Sequence, residues 1–279
     1  MDLRHSLNAV SDVVANRPHP LREFDQIYMK TADMLIQAEH ISRWLQDRDV
    51  VFIGDGDALA LTLIHLQGAG QIAQGPKSVK VLDFDERVVN SVNRFAERFG
   101  YTERITATLY NVADPLPSEF CGRFGAFYTN PPFGGSNGGV SVRAFLRRGV
   151  EATGPSSVCC AVLADDMELP WCGEVLQSAQ KFLLESGFVL VEIVPHMHTY
   201  HLDDRPELTS CSLVAQHLSR TEKARAESLA LTDEDLNNFY GRESRMAIRY
   251  IRDLTNGGKL ASRDHKAEPF TKSMVSNEK

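Results

Sequence analysis

Between residues 49 and 219, short apolar runs alternate with segments of helical periodicity. Seven runs have the length of a strand: Asp49–Ile53, Val79–Phe84, Ile105–Tyr110, Phe124–Thr129, Val158–Leu163, Phe188–Val194 and Ser210–His217. Predicted helices separate most of them and cover Ala58–Leu66, Glu86–Phe99, Gly139–Thr153 and Gly173–Ser186. Strands that alternate with helices pair in parallel, whereas the last two runs have no helix between them and can form a hairpin. We therefore predict an α/β fold with a doubly wound, mostly parallel seven-stranded sheet and an antiparallel edge strand.

Three further segments flank this predicted core, which spans residues 49–219. Residues 1–48 are predicted to form an N-terminal helical segment, and the charged residues 220–256 a C-terminal helical extension. Their predicted helices cover residues 1–16, Thr31–Leu45, Glu222–Ala230 and Asp233–Thr255. Residues 257–279 contain few large apolar groups and are predicted to be a disordered tail.

Charge and cysteine content limit the partners and the compartment. The formal net charge is −7, and only Arg143, Arg147 and Arg148 cluster near the predicted site. Nucleic acid is therefore a disfavoured partner, and a small cationic amine suits the chain better. The five cysteines lack Cys-x-x-Cys spacing, which favours reduced thiols over disulfides or a zinc site. With no apolar run long enough to span a membrane, we expect a cytoplasmic protein without a membrane partner, and leave a homodimer open.

Polar or small residues follow the first three predicted strands, at the sheet edge where ligands of doubly wound folds bind. Gly54 and Gly56 follow the first strand and allow a ligand to approach the backbone at a helix N-terminus. Asp83 ends the second strand, where an acidic residue can bind both hydroxyls of a ribose. Asn111 follows the third strand and can reach an adenine edge. Each position also fits a helix cap, the interpretation we favour for Asp85 because it directly precedes a predicted helix.

The fourth strand runs into the motif Asn130-Pro-Pro-Phe133. The prolines cannot continue a ladder, so the chain turns and aims Asn130 into the crevice. Asn130 Oδ1 and the Pro131 carbonyl can then both accept hydrogen bonds from one amino group, and Phe133 can close over it. This pattern predicts binding of a nitrogen nucleophile, although a Pro-Pro turn capped by Asn is an equally good interpretation of the motif alone.

Acidic residues follow the first and fifth strands, namely Asp55, Asp57, Asp165, Asp166 and Glu168. A polyamine arrives protonated, so its site needs carboxylates that hold the cation and one that accepts a proton. We predict that Asp55 and Asp57 act in catalysis. We predict that the other three bind the substrate.

Three histidines, His196, His198 and His201, follow the sixth predicted strand. On a strand His196 and His198 face the same side, where they could hold a metal together with Asp203 or Asp204. Such a cluster is more often a polar strand end or the rim of a pocket. We therefore predict no metal.

Taken together, residues Val51 to Asn130 resemble the S-adenosylmethionine-dependent methyltransferases, which implies a Rossmann-like fold of the class I methyltransferase type. A closer resemblance, over residues 22–217, is to the branched-chain polyamine synthase family. It rests on Phe24-Asp25-Gln26, Gly54-Asp-Gly-Asp57, Leu82-Asp-Phe-Asp-Glu86, Pro115-Leu-Pro117, Ser141–Gly149 and Gly154-Pro155. Those enzymes add aminopropyl groups from decarboxylated S-adenosylmethionine to spermidine. The resemblance implies that Tyr28 and Thr31 contact the tail of the cofactor, Asp83 its ribose and Asn111 its adenine.

This chain departs from that family at several motif positions. Gly56 interrupts a run of three acids, Asn130 replaces the first residue of Asp-Pro-Pro, and Asn111 replaces an Asp. The family's N-terminal winged-helix domain is not found in this chain. The cofactor is thus decarboxylated S-adenosylmethionine or S-adenosylmethionine, and an N-methyltransferase acting on a nucleobase, amide or small amine is the alternative activity. A ligand-binding relative without catalysis is a third hypothesis.

Overall fold

The computed structural model describes residues 2–202, 205, 207–219, 228–241, 248–255 and 265–270. The strands of the main sheet are β1 (Asp49–Ile53), β2 (Ser78–Asp83), β3 (Ile105–Leu109), β4 (Phe124–Thr129), β5 (Thr153–Ala164), β6 (Phe188–Thr199) and β7 (Thr209–His217). They lie in the order β3-β2-β1-β4-β5-β7-β6. The doubly wound, mostly parallel sheet is therefore confirmed. The antiparallel strand is β7, which lies between β5 and β6 because it returns from the hairpin to pair with β5; we had predicted it at the edge itself.

Six α-helices surround the sheet in the described residues. They are α1 (Leu3–Asn16), α2 (Thr31–Ser42), α3 (Leu59–Gly68), α4 (Glu86–Phe99), α5 (Val140–Ala152) and α6 (Pro170–Glu185). Helix α4 begins where predicted because the Asp85 carboxylate accepts a hydrogen bond from the Arg87 N–H, which confirms Asp85 as its N-cap. Helix α6 begins before the predicted Gly173, since Pro170 suits the first helical position.

The side chains of the central strands alternate between two cores. Val50 and Phe52 of β1 pack in the core that contains residues of α1 to α4. Val51 and Ile53 pack on the opposite face, in the core that contains residues of α5 and α6. All four are fully buried, as expected for a sheet covered by helices on both faces. The carboxyl ends of the parallel strands are therefore left as one edge on which a site can form.

The C-terminal extension is not helical where the structure describes it. Residues 233–240 form turns, and β8 (Ile248–Asp253) pairs with β9 (His265–Pro269) in a second, two-stranded sheet. The predicted helix over Asp233–Thr255 is therefore wrong at residues 233–241 and 248–255, and the predicted disorder is wrong at 265–269; residues 242–247, 257–264 and 271–279 lie outside the described part of the chain. Tertiary contacts outweigh local helix propensity here, because Ile251 is fully buried and its N–H donates to the Phe84 carbonyl at 3.1 Å. The predicted helix at residues 222–227 lies outside the described residues.

Within the described ranges, no helix is both long and apolar enough to cross a membrane. Four of the five cysteines are buried free thiols: Cys159, Cys160, Cys172 and Cys211.

Candidate functional site

A cavity opens at the carboxyl ends of β1 to β4 and brings together ten of the fourteen predicted site residues. These ten are Tyr28, Gly54, Asp55, Gly56, Asp57, Asp83, Asn111, Asn130, Pro131 and Phe133. They come from five separate segments of the chain, and the sheet order places them side by side. The roles given to them from the sequence stay predictions, but their convergence follows from the topology.

Aromatic side chains lie close to the two glycines after β1. Gly54 has a φ of 72°, and a Cβ atom there would lie 3.0 Å from Phe145 Cε1. A Cβ atom on Gly56 would lie 3.2 Å from Tyr28 Cε1. Side chains at these positions would crowd the aromatic rings that line the cavity, so glycine keeps the β1 turn open to a ligand.

Asp55, which was predicted to act in catalysis, caps a helix in the structure. Its Oδ1 accepts a hydrogen bond from the Leu59 N–H at 2.8 Å, and its Oδ2 accepts one from the Ala60 N–H at 3.1 Å. Both oxygens therefore cap the first turn of α3. Burial raises the pKa of Asp55 well above its usual range, and the neighbouring charge of Asp57 adds to this.

Asp57 links the N-terminal loop to the Asn-Pro-Pro-Phe motif. Its Oδ1 accepts a hydrogen bond from the Met29 N–H at 2.7 Å, and its Oδ2 accepts one from Asn130 Nδ2 at 2.6 Å. Because a carboxylate only accepts, it holds the NH₂ end of the amide and turns Asn130 Oδ1 away. Burial raises the pKa of Asp57, while Arg17 opposes that rise.

The motif itself is fixed at both ends. The Thr129 hydroxyl donates to the Ile53 carbonyl at 2.8 Å, which joins the ends of β4 and β1. The Phe133 ring packs edge-on against Tyr200, with centroids 5.6 Å apart. Among the described residues, none donates a hydrogen bond to Asn130 Oδ1. Asn130 lines the cavity, and its role as an acceptor for an amine stays a prediction.

Asp83 lies at the end of β2 and is buried. Its Oδ2 accepts a hydrogen bond from the Asp55 N–H, and its Oδ1 accepts one from the Asp85 N–H, both at 2.9 Å. Burial, with the charge of Asp85, raises the pKa of Asp83 to about 7. The second lone pair of each oxygen remains for a ligand hydroxyl.

Asn111 is fully buried, and both ends of its amide are used within the protein. Its Nδ2 donates to the Arg249 carbonyl at 2.6 Å, and its Oδ1 accepts from the Ala113 N–H at 2.9 Å. It therefore ties β8 to the core. The contact of Asn111 with adenine stays a prediction. It would use the second lone pair of Oδ1, or it would require the amide to give up one of its present partners.

Three aromatic residues near Asp83 line the cavity but were not predicted as site residues from the sequence. Phe24, Phe84 and Tyr240 line the cavity, and their ring centroids lie 5.5–5.6 Å apart. Such a group offers flat apolar faces to a planar base. Phe84 directly follows Asp83, which is a usable signal, whereas nothing in the sequence places Tyr240 here.

Asp25 was quoted in a motif but not predicted as a site residue. It lines the cavity and has a left-handed backbone, with a φ of 57°. Burial raises the pKa of Asp25 to about 6, although the Arg22 charge and the Phe133 N–H oppose the rise. A carboxylate beside the Asn-Pro-Pro-Phe turn that titrates near neutral pH is suited to accept a proton.

Four predicted site residues lie outside the lining of this cavity: Thr31, Asp165, Asp166 and Glu168. Thr31 is the first residue of α2. The carboxylate of Asp165 accepts hydrogen bonds from the Thr209 hydroxyl and the His196 N–H, since β5 and β7 are neighbours. Asp166 accepts a hydrogen bond from the N–H of Glu168, which is exposed.

The histidines after β6 do not share one face. His196 has a φ of 51° and is exposed, whereas His198 is fully buried. A register shift between Val194 and His198 breaks the strand alternation on which the prediction relied. Asp203 and Asp204 lie outside the described residues.

The chain matches a protein family model over residues 5–253, that of the branched-chain polyamine synthase A C-terminal domain. It is 28% identical over 196 residues to the N(4)-bis(aminopropyl)spermidine synthase of Thermococcus kodakarensis, covering 70% of this chain and 52% of that protein. It is 28% identical over 189 residues to the Thermus thermophilus enzyme of the same name, covering 66% and 50%. The chain thus spans about half the length of these curated relatives.

Two solved structures are similar in fold to this chain. The Thermus thermophilus branched-chain polyamine synthase, in complex with N4-aminopropylspermidine and 5'-methylthioadenosine, matches with a TM-score of 0.65 and 25% identity, covering 82% of this chain and 69% of that one. A proposed RNA methyltransferase from Pyrococcus horikoshii matches with a TM-score of 0.58 and 17% identity, covering 78% of this chain and 100% of that one, and shows the fold alone. The predicted Rossmann-like fold of the class I methyltransferase type is confirmed.

Proposed function

This chain belongs to the branched-chain polyamine synthase family, and we propose that it transfers an aminopropyl group from decarboxylated S-adenosylmethionine to an amine nitrogen of a polyamine. The observation that carries the proposal is the hydrogen bond of 2.6 Å between Asn130 Nδ2 and Asp57 Oδ2. It leaves Asn130 Oδ1 as an acceptor for an incoming amine, in the same cavity as the carboxylate of Asp83. The ligands of the Thermus thermophilus relative, a polyamine and a methylthioadenosine, support the same pairing of substrates.

The chemistry is a substitution at the aminopropyl carbon bonded to sulfur. The lone pair of the amine forms the new C–N bond while the C–S bond breaks, and its electrons remain on sulfur, which leaves neutral 5'-methylthioadenosine. Because the sulfonium is already a good leaving group, the protein mainly orients the amine and takes up its proton. No nucleophile on the protein is required.

The proton of the amine has a nearby destination. Burial raises the pKa of Asp25 to about 6, so it is ionised near neutral pH and can accept a proton from the bound ammonium, which frees the lone pair of the amine for attack. Asp57 attracts the cation and holds Asn130, which in turn accepts a hydrogen bond from the amine. The two carboxylates thus have separate tasks at the same turn.

The nucleoside half of the cofactor is assigned to the edge formed by β2 and the aromatic residues. The ribose hydroxyls donate to Asp83, and the adenine lies against the group formed by Phe24, Phe84 and Tyr240. Gly54 and Gly56 leave space for the sulfonium between ribose and acceptor. The four buried cysteines are free thiols, which favours a reducing compartment, and the cytoplasm is the proposed location.

One observation favours N-methyl transfer as a second candidate. The residue at the end of β4 is Asn130, an amide that can hold an uncharged nitrogen substrate as well as an ammonium. A nucleic-acid acceptor fits poorly, because Arg143 donates to the Gly138 carbonyl and to Ser178, and Arg148 is fully buried. A small amine or amide is therefore the alternative acceptor.

The test of the proposed function pairs each cofactor with each class of acceptor. We expect release of 5'-methylthioadenosine from decarboxylated S-adenosylmethionine with spermidine-like amines, and no turnover with DNA or RNA. Release of S-adenosylhomocysteine with a small amine would support the methyltransferase instead. Nucleoside binding without turnover in any pair would support a non-catalytic relative.

Replacing Asp83 tests whether this residue binds the ribose of the cofactor. Asp83→Ala should weaken binding of 5'-methylthioadenosine in calorimetry by about 1–3 kcal/mol, the cost of losing a hydrogen bond to a charged group. In the wild type the ribose should favour the ionised carboxylate. The pKa of Asp83 without a ligand is about 7. The affinity for 5'-methylthioadenosine should therefore reach its maximum above pH 7 and should fall by up to about tenfold for each pH unit below it. Asp166→Ala, which lies outside the cavity, is the control; equal affinities for the wild type and Asp83→Ala would place the ribose elsewhere.

A further inference from the structure

We propose that Arg17 is a positioning residue for the transfer, whose guanidinium holds Tyr28 and the turn after β1 together and balances the charge of Asp57. Arg17 lies outside the lining of the cavity and has no part in the transfer chemistry described above. The inference rests on the proposed function, in which the Asp57 carboxylate attracts the polyamine and supports the Asn130 amide.

The Arg17 side chain connects three elements of the fold. Arg17 directly follows α1, where its N–H donates to the Val13 carbonyl at 3.1 Å, and it is only 8% exposed. Its Nη1 lies 3.3 Å from the Met34 sulfur of α2 and donates to the Asp57 carbonyl at 3.1 Å. The side chain therefore joins the end of α1 to α2 and to the turn after β1.

Tyr28, which lines the cavity, is held by Arg17 and by the residue after it. The Arg17 Cζ atom lies 4.3 Å from the centroid of the Tyr28 ring, a cation–π contact. The Tyr28 hydroxyl donates to the Pro18 carbonyl at 3.1 Å. Because the same guanidinium also contacts Asp57, it fixes the Tyr28 ring relative to the turn that carries this acid.

The positive charge of Arg17 is balanced by Asp57. Arg87 and Arg148 are the other buried arginines of the described ranges, and each forms an ion pair with a carboxylate, whereas Arg17 forms none there. A buried charge without a counter-ion is costly. Burial lowers the pKa of Arg17, and the charge of Asp57 is the largest effect that opposes this. Burial likewise raises the pKa of Asp57, and Arg17 is the largest effect in the other direction. Each group therefore helps to keep the other ionised.

The charge state of Asp57 matters for the Asn130 amide. As a carboxylate, Asp57 accepts hydrogen bonds from the Met29 N–H and from Asn130 Nδ2. A proton on either oxygen would compete with one of these donors, because a carboxylic acid has fewer acceptor positions. Arg17 therefore supports the orientation of Asn130 through the charge of Asp57.

The other titratable groups that interact with Asp57 in the described ranges come from four elements of the structure, and none is a cation. They are Asp55 on the same turn, Tyr28 before α2, Tyr128 on β4 and Tyr200 after β6. Burial raises the pKa of all three tyrosines, so their hydroxyls stay neutral. Burial also raises the pKa of Asp55. The positive charge that acts on Asp57 in this part of the chain therefore comes from Arg17.

Arg17→Gln removes the charge but keeps an NH₂ donor for the Asp57 carbonyl. We expect kcat/KM for the polyamine to fall about tenfold at and below neutral pH, the effect of one unit in the pKa of Asp57. The loss relative to the wild type should shrink as the pH rises, because Asp57 then ionises without Arg17. The affinity for 5'-methylthioadenosine should stay within a few-fold of the wild type. Arg17→Lys keeps the charge and should retain most of kcat/KM.

Arg94→Gln is the matched control. Arg94 donates to the carbonyl and the Oδ1 of Asn16, the residue before Arg17, so it also fixes the end of α1. Its described hydrogen bonds include none to Asp57 or Tyr28. Arg94→Gln should leave kcat/KM within a few-fold of the wild type. Equal losses in Arg17→Gln and Arg94→Gln, with both shown to be folded by thermal unfolding, would make Arg17 a structural residue and overturn the proposal.

A double-mutant cycle tests whether Arg17 acts through Asp57. In an Asp57→Asn background, Arg17→Gln should lower kcat/KM by less than about threefold, because the charge that it supports is already absent. A second tenfold loss in that background would contradict the proposal. Arg17→Met takes the place of Arg17→Gln in each comparison if the latter does not fold.

A readout that needs no turnover keeps this inference distinct from the proposed function. Carbon-13 NMR of protein labelled at its aspartate carboxyls gives the titration midpoint of Asp57, whose signal is identified by its absence from Asp57→Asn. Arg17→Gln should raise this midpoint by about one pH unit or more, and Arg17→Lys should leave it near that of the wild type. An unchanged midpoint in Arg17→Gln would overturn the inference. Absence of aminopropyl transfer by the wild type, with the midpoint raised in Arg17→Gln, would instead refute the proposed function.

Discussion

Asn130→Ala should lower kcat for aminopropyl transfer by about 100-fold or more, while the affinity for 5'-methylthioadenosine stays within a few-fold of the wild type. In the proposed function Asn130 Oδ1 orients the lone pair of the amine, and loss of orientation is commonly worth two or more orders of magnitude. In the proposed function the nucleoside lies against Asp83 and its aromatic neighbours, which line the same cavity. Steady-state kinetics and calorimetry on the same preparation measure the two quantities.

Asn137→Ala is the matched control for that variant. Asn137 follows in the same loop, but its Nδ2 donates to the Ser141 hydroxyl at 2.6 Å and to the Asn238 carbonyl at 3.3 Å, away from the Asn130 amide. Its loss should leave kcat within a few-fold of the wild type if the variant folds. Equal losses of kcat in the two variants would indicate that Asn130 is a loop cap, the other interpretation of an Asn-Pro-Pro turn.

Asp57→Asn should reduce kcat/KM for the polyamine by about 10²–10³-fold. The substitution removes a negative charge that attracts the cation. The new amide has only one oxygen, so its NH₂ group must face one of the two donors that Asp57 now accepts, the Met29 N–H or Asn130 Nδ2. Either arrangement disturbs the support of the Asn130 amide, because it displaces the loop at Met29 or turns the oxygen of Asn130 away from the substrate. An effect on both charge and orientation falls in the range of other preorganised catalytic contacts.

Asp165→Asn serves as its comparison. Asp165 is also a buried acid after a parallel strand, but its carboxylate accepts hydrogen bonds from Thr209 and His196, outside the lining of the cavity. We expect its KM for the polyamine to remain near that of the wild type. A large rise in KM for Asp165→Asn, with little change for Asp57→Asn, would move the acceptor site to the end of β5.

The sequence predicts which residues line the cavity where one strand end determines one residue. Asp83 and Asn130 stand at the carboxyl ends of β2 and β4, and the fold rule that ligands bind there requires no knowledge of side-chain contacts. Asp85 was separable from Asp83 because a helix pattern begins at the next residue. Strand and helix bounds around these positions differ from the predictions by a few residues at most.

What the sequence could not predict depends on contacts between distant segments. The sixth strand was predicted to end at Val194, yet it continues through a left-handed His196 to Thr199, and His198 is buried. Tyr240 reaches the cavity from an extension whose charge pattern indicated a helix. Asp55 is of a residue type that often acts in catalysis, and only the structure shows that both its oxygens cap α3.

The transfer itself is tested most directly by following the aminopropyl carbons. Decarboxylated S-adenosylmethionine labelled with carbon-13 in its aminopropyl chain is incubated with the protein and spermidine, and the products are examined by NMR and mass spectrometry. We predict that the label becomes bonded to a polyamine nitrogen, together with unlabelled 5'-methylthioadenosine, and that Asn130→Ala slows its appearance. Label that remains in the nucleoside, while methyl-labelled S-adenosylmethionine yields a methylated amine, would contradict aminopropyl transfer.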